Sequence, residues 1–558
     1  MFFPKRGCHT CKNRRVKCDR ARPVCGQCQK AKVTCQGVVE DGNFIFLNEN
    51  EYAGGSRKRR RGPNVTTTTT TTTTAPTMST EALAIQGHFN TTMPLRTEST
   101  SGFSNDILNF GTSPTEPLDF HISPALDIPL DVQALAYYTR IHVEVPHGVP
   151  EVMDGHLKYA LADWFQSKPD SILSLAISAV SHATFGRAQR SQAALNVGCA
   201  MYSRALVKTN MALKDANEVT HDSVLLSAML LSFYENSVLD RVSQTSSRDI
   251  EAIGSRSFAH HDGAMALLKL RRQRGWPTNT NMELDKLVRR QLMRSLLLRS
   301  IPLPLWLRDG SKYGETGFAL EMDRYMVIVA KLRHQASRLS KGPAKCSAPI
   351  SDEKMAELRS FLAETQALDS ALARWATILP AELQYRSIAV QQEPHIEIGD
   401  RSFNGTIHIY PTVGHAGLWN RYRALRLAVN ALILRALSAV PVPLELDLNA
   451  LKDAVKSIIY RLAEDLCESV PFTLDLIGTY QVDGKEQFFV TQNPTSLKGA
   501  IKASTAYFIC WPLALVITIP DIPDRPRQYL RDRLLDVSEI VDDGVLERLA
   551  ITSVHGIE

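Results

Sequence analysis

Six of the ten cysteines in this 558-residue chain fall within its first forty residues, at Cys8, Cys11, Cys18, Cys25, Cys28 and Cys35. Their spacing is C-x2-C-x6-C, a six-residue gap, then C-x2-C-x6-C again, with basic side chains filling the intervals. Dense cysteines serve three chemistries: disulfide scaffolds, thiol redox sites and metal clusters. A disulfide protein spreads its bridges through the structure that needs them. Here the other four, Cys199, Cys346, Cys467 and Cys510, lie far apart. The opening MFFPKRGCHT has no continuous apolar stretch, so no signal peptide is expected. These features point to a reducing compartment and a metal cluster.

One C-x2-C pair brings two thiolates onto a tetrahedral Zn²⁺ and is a weak signal. Two pairs, each followed by a third cysteine after the same gap, form an internal repeat and a strong one. Six ligands cannot give two separate zinc ions four each. If two thiolates bridge, both tetrahedra are complete, and symmetry favours the first cysteine of each half, Cys8 and Cys25. Two Zn²⁺ with six thiolates carry −2, which the surrounding Lys and Arg offset. With every position taken by sulfur, no water can bind, so the zinc is expected to be structural and not catalytic.

Charge is uneven. Residues 1–62 carry fifteen Lys and Arg against five Asp and Glu, a net of +10, while the whole chain is +6. A basic head on a mildly acidic body implies a polyanionic partner for the head alone.

Segment 8–35 resembles the zinc binuclear cluster DNA-binding domain of fungal transcription factors, with Pro23 in the loop where that family keeps a proline. The resemblance implies that a short helix after the second cysteine enters the major groove of double-stranded DNA. Here that helix is expected over Lys12-Asn13-Arg14-Arg15-Val16-Lys17. The family's pattern is Arg-x-Arg-Lys-x-Lys, its fourth position contacting a CGG triplet. This chain has Lys12 first and Arg15 fourth, and Arg pairs bidentately with guanine O6 and N7. Arg15 is therefore expected on bases with Arg14 close by, and Lys12, Lys17, Arg20, Lys30 and Lys32 on phosphates.

Beyond the cluster, Arg57, Lys58, Arg59, Arg60 and Arg61 form a run suited to an importin groove and a nuclear address. Residues 36–56 contain Gly37, Gly42, Gly54 and Gly55 and sustain no heptad, so no local zipper is expected. A homodimer must then form through the C-terminal body. Thr66 to Thr74 is an unbroken threonine run and reads as a solvated spacer. From Thr97 to Thr139 there is no Lys or Arg, while Glu98, Asp106, Glu116, Asp119, Asp127 and Asp131 alternate with apolar residues such as Phe103, Leu108 and Phe120. Such a stretch can contact coactivators or mediator-like machinery, or dock on its own neighbouring domain.

From about Ile172 apolar residues recur at i, i+3, i+4 and i+7 through many segments, and strand-like alternation is scarce. The expected fold class is mostly α: a two-zinc module over 1–40, a disordered linker over 41–130, and an all-helical regulatory domain over 131–558. The stretches HHDGAMALLKLR (260–271), LWNRYRALRL (418–427) and AYFICWPLALV (506–516) resemble the fungal-specific transcription factor domain. Ala503 to Pro520 lacks charge for eighteen residues, near the minimum for a membrane span. Its polar residues and Pro512 favour a buried core helix, and no membrane partner is expected. His260-His261-Asp262 reads as an exposed stretch or a helix start, since adjacent residues on a helix point apart. No phosphate-cradling glycine loop or nucleophile elbow is present, so no enzyme is expected. The reading is a zinc-dependent, sequence-specific regulator of RNA polymerase II transcription in the nucleus. The alternative is a DNA-tethered corepressor or scaffold.

Overall fold

Two helices of the C-terminal unit are buried on nearly every side, and much of that unit packs around them. The computed structural model describes residues 10–11, 14, 16, 18–19, 25–35, 128–144, 168–240, 250–274, 282–339, 352–390, 401–439, 448–482, 485–490 and 501–552. The chain divides into two units, Met1–Asp127 and Ile128–Glu558. In the first, the described residues form the cysteine module with one short helix, α1 (Gly26–Lys30). The basic run 57–61, the threonine tract and residues 41–127 of the expected linker lie outside the described residues.

The second unit begins with α2 (Leu130–Tyr138), extended by a π-helical turn over Thr139–Val143. Then follow α3 (Ile172–Ala188), α4 (Gln192–Ala212), α5 (Asp222–Tyr234), α6 (Ser255–Gln273), α7 (Met282–Leu298), α8 (Gly317–Leu339) and α9 (Asp352–Ile378). After these come α10 (Val413–Ala439), α11 (Leu448–Thr473), α12 (Ala503–Val516), α13 (Asp524–Ile540) and α14 (Gly544–Thr552). Local signals set several starts: the Ser171 hydroxyl accepts from Ser174 N at 3.1 Å and that of Ser191 from Ala194 N at 3.3 Å, each satisfying a free helix N–H. Two antiparallel hairpins complete the fold. β1 (Arg386–Ala389) pairs with β2 (Thr406–Ile409), and β3 (Ile477–Val482) with β4 (Lys485–Val490).

Helix α9 shows the periodicity expected of a surface helix. Its buried residues are Leu358, Phe361, Thr365, Leu368, Leu372 and Trp375, one stripe at steps of three and four. The central helices differ. In α12 every residue but Tyr507 and Cys510 is buried, and α10 buries 20 of its 27 residues. α10 packs against α8, α9, α11 and α12, while α12 also meets α7 and α13. The uncharged stretch from Ala503 is thus a core helix, and among the described residues no helix is long and apolar enough to cross a membrane.

Charged groups cross-link this core. Arg289 on α7 donates to both carboxylate oxygens of Asp323 on α8 at 2.7 and 2.8 Å, and Arg290 to both of Glu315 at 2.6 Å. Buried ion pairs of this geometry fix helix register more than they stabilise, because desolvating two charges offsets most of their attraction.

One open alternative is decided in part and one expectation needs correction. At its C-terminal end the acidic-apolar stretch takes the docking alternative: its last residues form α2, which packs on α3, and Asp131 meets the buried His182 Nε2 at 2.9 Å. This end of the segment docks on its own domain. His260-His261-Asp262 is neither an exposed stretch nor a helix start, because α6 begins five residues earlier at Ser255. Its side chains do point apart. His260 Nε2 is 3.5 Å from Glu235, the His261 Nδ1 is 3.1 Å from the Ser295 hydroxyl, and Asp262 accepts from Arg299 at 2.9 and 3.2 Å.

Candidate metal centre and nucleic-acid interface

The cysteine repeat has a period of seventeen residues, and the backbone repeats with it. Arg14 N donates to Thr10 O at 3.1 Å and Val16 N to Cys11 O at 3.0 Å. Seventeen residues on, Ala31 N donates to Gln27 O at 3.2 Å and Val33 N to Cys28 O at 3.1 Å. The described residues of both halves therefore make the same helical hydrogen bonds beside the second cysteine of each C-x2-C pair. In the second half the turn closes with Lys32 at φ 51°, in the left-handed region, with its N–H on Gln29 O. Together with the Val33 bond this is a Schellman ending, which satisfies the last carbonyls of a five-residue helix. The two halves are tied by the Thr10 hydroxyl, which donates to Thr34 O at 2.8 Å.

The sulfurs converge inside this frame. Cys11, Cys18, Cys25 and Cys28 are buried, Cys35 is partly buried, and none of these five forms a disulfide. Cys11 Sγ lies 3.5 Å from Cys25 Sγ and 3.8 Å from Cys28 Sγ. Zn–S bonds of about 2.3 Å in a tetrahedron place sulfurs roughly 3.8 Å apart, so this trio fits one zinc ion. A second group, within 4.8 Å of one another, is Cys18, Asp19 and Cys25. Cys25 belongs to both groups, as a bridging thiolate must. It also precedes α1, where its sulfur accepts from Cys28 N at 3.4 Å.

The sequence reading missed Asp19. Its two carboxylate oxygens accept from Gly26 N at 3.0 and 2.9 Å, capping α1 beside the shared sulfur. A Cβ on residue 26 would lie 2.4 Å from Asp19 Oδ2, so only glycine admits this contact. A signal was available: Asp19 is the lone acidic residue of positions 1–39.

Of the cations assigned to DNA, Arg14, Lys30 and Lys32 are exposed on the module's surface. Cys8, Lys12, Arg15, Lys17 and Arg20 lie outside the described residues, as do Arg57, Lys58, Arg59, Arg60 and Arg61.

A second cluster, His408, Asp465 and Glu468, also has metal-like proximity. It does not fit a metal. Arg423 Nη2 donates to His408 Nδ1 at 3.2 Å, so Nε2 carries the proton and donates to Glu468 at 3.0 Å. The guanidinium itself lies over the rings of Tyr385, Tyr410 and Trp419, a buried cation held by aromatic faces.

Comparison with known proteins agrees with the first site. Residues 6–40 match the family model of the fungal Zn(2)-Cys(6) binuclear cluster domain. A segment of 49 residues, 9% of this chain, is 47% identical to the sterol uptake control protein 2 of Candida albicans. A segment of 35 residues, 6% of the chain, is 52% identical to an uncharacterized transcriptional regulatory protein of Schizosaccharomyces pombe. The aligned parts span only 7% and 6% of those relatives. No solved structure matches the chain. The N-terminal module is thus similar to those of fungal transcriptional regulators, binds two structural zinc ions, and supports a DNA-binding transcription factor. The matched family and the printed names of both relatives point to control of transcription rather than to catalysis.

Proposed function

We propose that the protein is a sequence-specific DNA-binding regulator of RNA polymerase II transcription, acting in the nucleus. The observation that carries this reading is the pair of close groups, Cys11–Cys25–Cys28 and Cys18–Asp19–Cys25, that share Cys25 in a module whose described cations Arg14, Lys30 and Lys32 are exposed. In it the ligands are Cys8, Cys11, Cys18, Cys25, Cys28 and Cys35, with Cys8 and Cys25 bridging. The zinc supplies folding energy and no reaction, since a module of this size has too little core to fold alone. Arg15 reads guanine in a CGG-like triplet, with Arg14 beside it. Lys12, Lys17, Arg20, Lys30 and Lys32 neutralise phosphates, and residues 57–61 engage importin. Residues 131–558 form the regulatory domain, the three stretches at 260–271, 418–427 and 506–516 supporting its likeness to the fungal-specific transcription factor domain. Without a zipper over 36–56, any homodimer forms through that domain.

The test separates base reading from charge. A bidentate Arg–guanine pair discriminates by about 1–3 kcal/mol, whereas a phosphate contact carries no sequence information. Arg15→Ala is expected to weaken binding to a CGG duplex far more than to a scrambled one. Lys17→Ala is expected to weaken both alike and to lower the salt slope by about one. Equal losses on both duplexes for Arg15→Ala would remove it from base reading.

A further inference from the structure

One unexplained feature lies in the helical unit, where a cavity of about 250 Å³ opens between α5, α6, α7, α10 and α12. The three stretches singled out in the sequence meet there: His261 from the first, Arg421 from the second, and Phe508, Cys510 and Trp511 from the third. Its apolar wall includes Phe233, Phe258, Phe508 and Met229. An apolar cavity of this size in a core normally collapses or fills, because lost contacts are costly.

The charged part of the wall is mostly cationic. Arg290, Arg294 and Arg421 all line the cavity, and the same three border a water-sized void of about 10 Å³ with Glu315 and Asp323. Those two carboxylates are already engaged bidentately, Glu315 by Arg290 and Asp323 by Arg289. The remaining acid on the wall, Asp543, accepts from Leu546 N at 2.8 Å and caps α14. Among the described residues no carboxylate lies within ion-pair distance of Arg294. Its backbone is nonetheless fixed, since Trp511 Nε1 donates to Arg294 O at 3.2 Å. Burial and the like charges of Arg421 and Arg290 push the Arg294 guanidinium down to about 9, against the weaker attraction of Glu315. A guanidinium at the edge of an apolar cavity, repelled by two neighbouring guanidiniums and with no carboxylate in ion-pair contact among the described residues, is suited to take an anion.

We propose that this cavity binds a small amphipathic organic anion, with a carboxylate head on Arg294 and an apolar body along Phe233, Phe258, Phe508 and Met229. The helical unit is then a ligand-binding unit as well as a regulatory one. This goes beyond the DNA reading and does not depend on it, because binding is measured on the protein without DNA.

The probe pair is decanoate and its neutral counterpart decanol, titrated calorimetrically into the full-length chain. Decanoate is expected to bind saturably at one site and to raise the melting temperature by mass action. Decanol is expected to bind at least about tenfold more weakly, the range of a lost charge-assisted hydrogen bond. Arg294→Met is expected to lose at least about tenfold in decanoate affinity. Its melting temperature without ligand is expected to stay level or rise, since like-charge repulsion is relieved, which separates lost binding from misfolding. Equal affinities for decanoate and decanol overturn the proposal. So does an Arg294→Met protein that binds decanoate as the parent does, and so does the absence of saturable decanoate binding.

Discussion

Replacing Gly26 by alanine tests whether the Asp19 cap is part of the zinc module's stability. The new Cβ would fall 2.4 Å from Asp19 Oδ2, a distance that real side chains do not tolerate. Asp19 is exposed and flexible, so it swings away rather than forcing the backbone, and its hydrogen bonds of 3.0 and 2.9 Å to Gly26 N are lost. A charge-assisted bond is worth about 1.5–3 kcal/mol, and exposure puts this one at the low end. Alanine recovers roughly 0.5 kcal/mol by stiffening the unfolded chain. The net cost is about 1 kcal/mol, or roughly fivefold. Because folding of so small a module is coupled to metal, the loss appears as weaker zinc binding, read by chelator competition on the full chain. Asp19→Ala is expected to cost a similar amount, and the double variant little more than either, since both remove one contact. Gln27→Ala, exposed on the same helix, is the control. If Gly26→Ala holds zinc as tightly as the parent, or if the two changes add fully, the cap contributes nothing and the reasoning fails.

Three further outcomes follow from the same geometry. Cys25→Ala is expected to release both zinc ions and Cys35→Ala to spare one, counted by native mass spectrometry, because Cys25 alone belongs to both described groups. Asp285 is fully buried, and burial outweighs the Arg271 guanidinium 3.0 Å away, pushing its carboxyl up to about 6. The folded state then binds the proton more tightly than the unfolded one, so stability is lost as pH rises from about 4 through 6. Asp285→Asn is expected to gain up to about 3 kcal/mol at pH 7.5 and nothing near pH 4, measured by urea unfolding across pH. His408 behaves oppositely: burial, then the Arg423 charge, lower it to about 3. Its contribution is complete above about pH 6.5 and is lost as pH falls toward 3, and His408→Gln is expected to flatten that acid limb.

The division between what local sequence encodes and what packing decides is sharp in this chain. The metal module is legible because its information is local. Thiolate spacing of two and six residues determines which sulfurs can meet, and a seventeen-residue period repeats the same backbone hydrogen bonds in both halves. Helical periodicity was legible for the same reason, since the burial stripe of α9 from Leu358 to Trp375 follows from 3.6 residues per turn. Burial of charge was not. Nothing near MELDKLVRRQLMRSLLL says that Arg289 and Arg290 are buried in ion pairs while Arg294 lacks one, because Asp323 and Glu315 lie 34 and 25 residues away. The cavity is assembled from still more distant pieces: Trp511 anchors Arg294 across 217 residues, and Tyr507 meets His142 at 3.1 Å across 365. Period and spacing are set by bond geometry over a few residues, so one chain suffices to read them. The pairing of a buried cation and the shape left between five helices are set by partners that only the folded chain brings together.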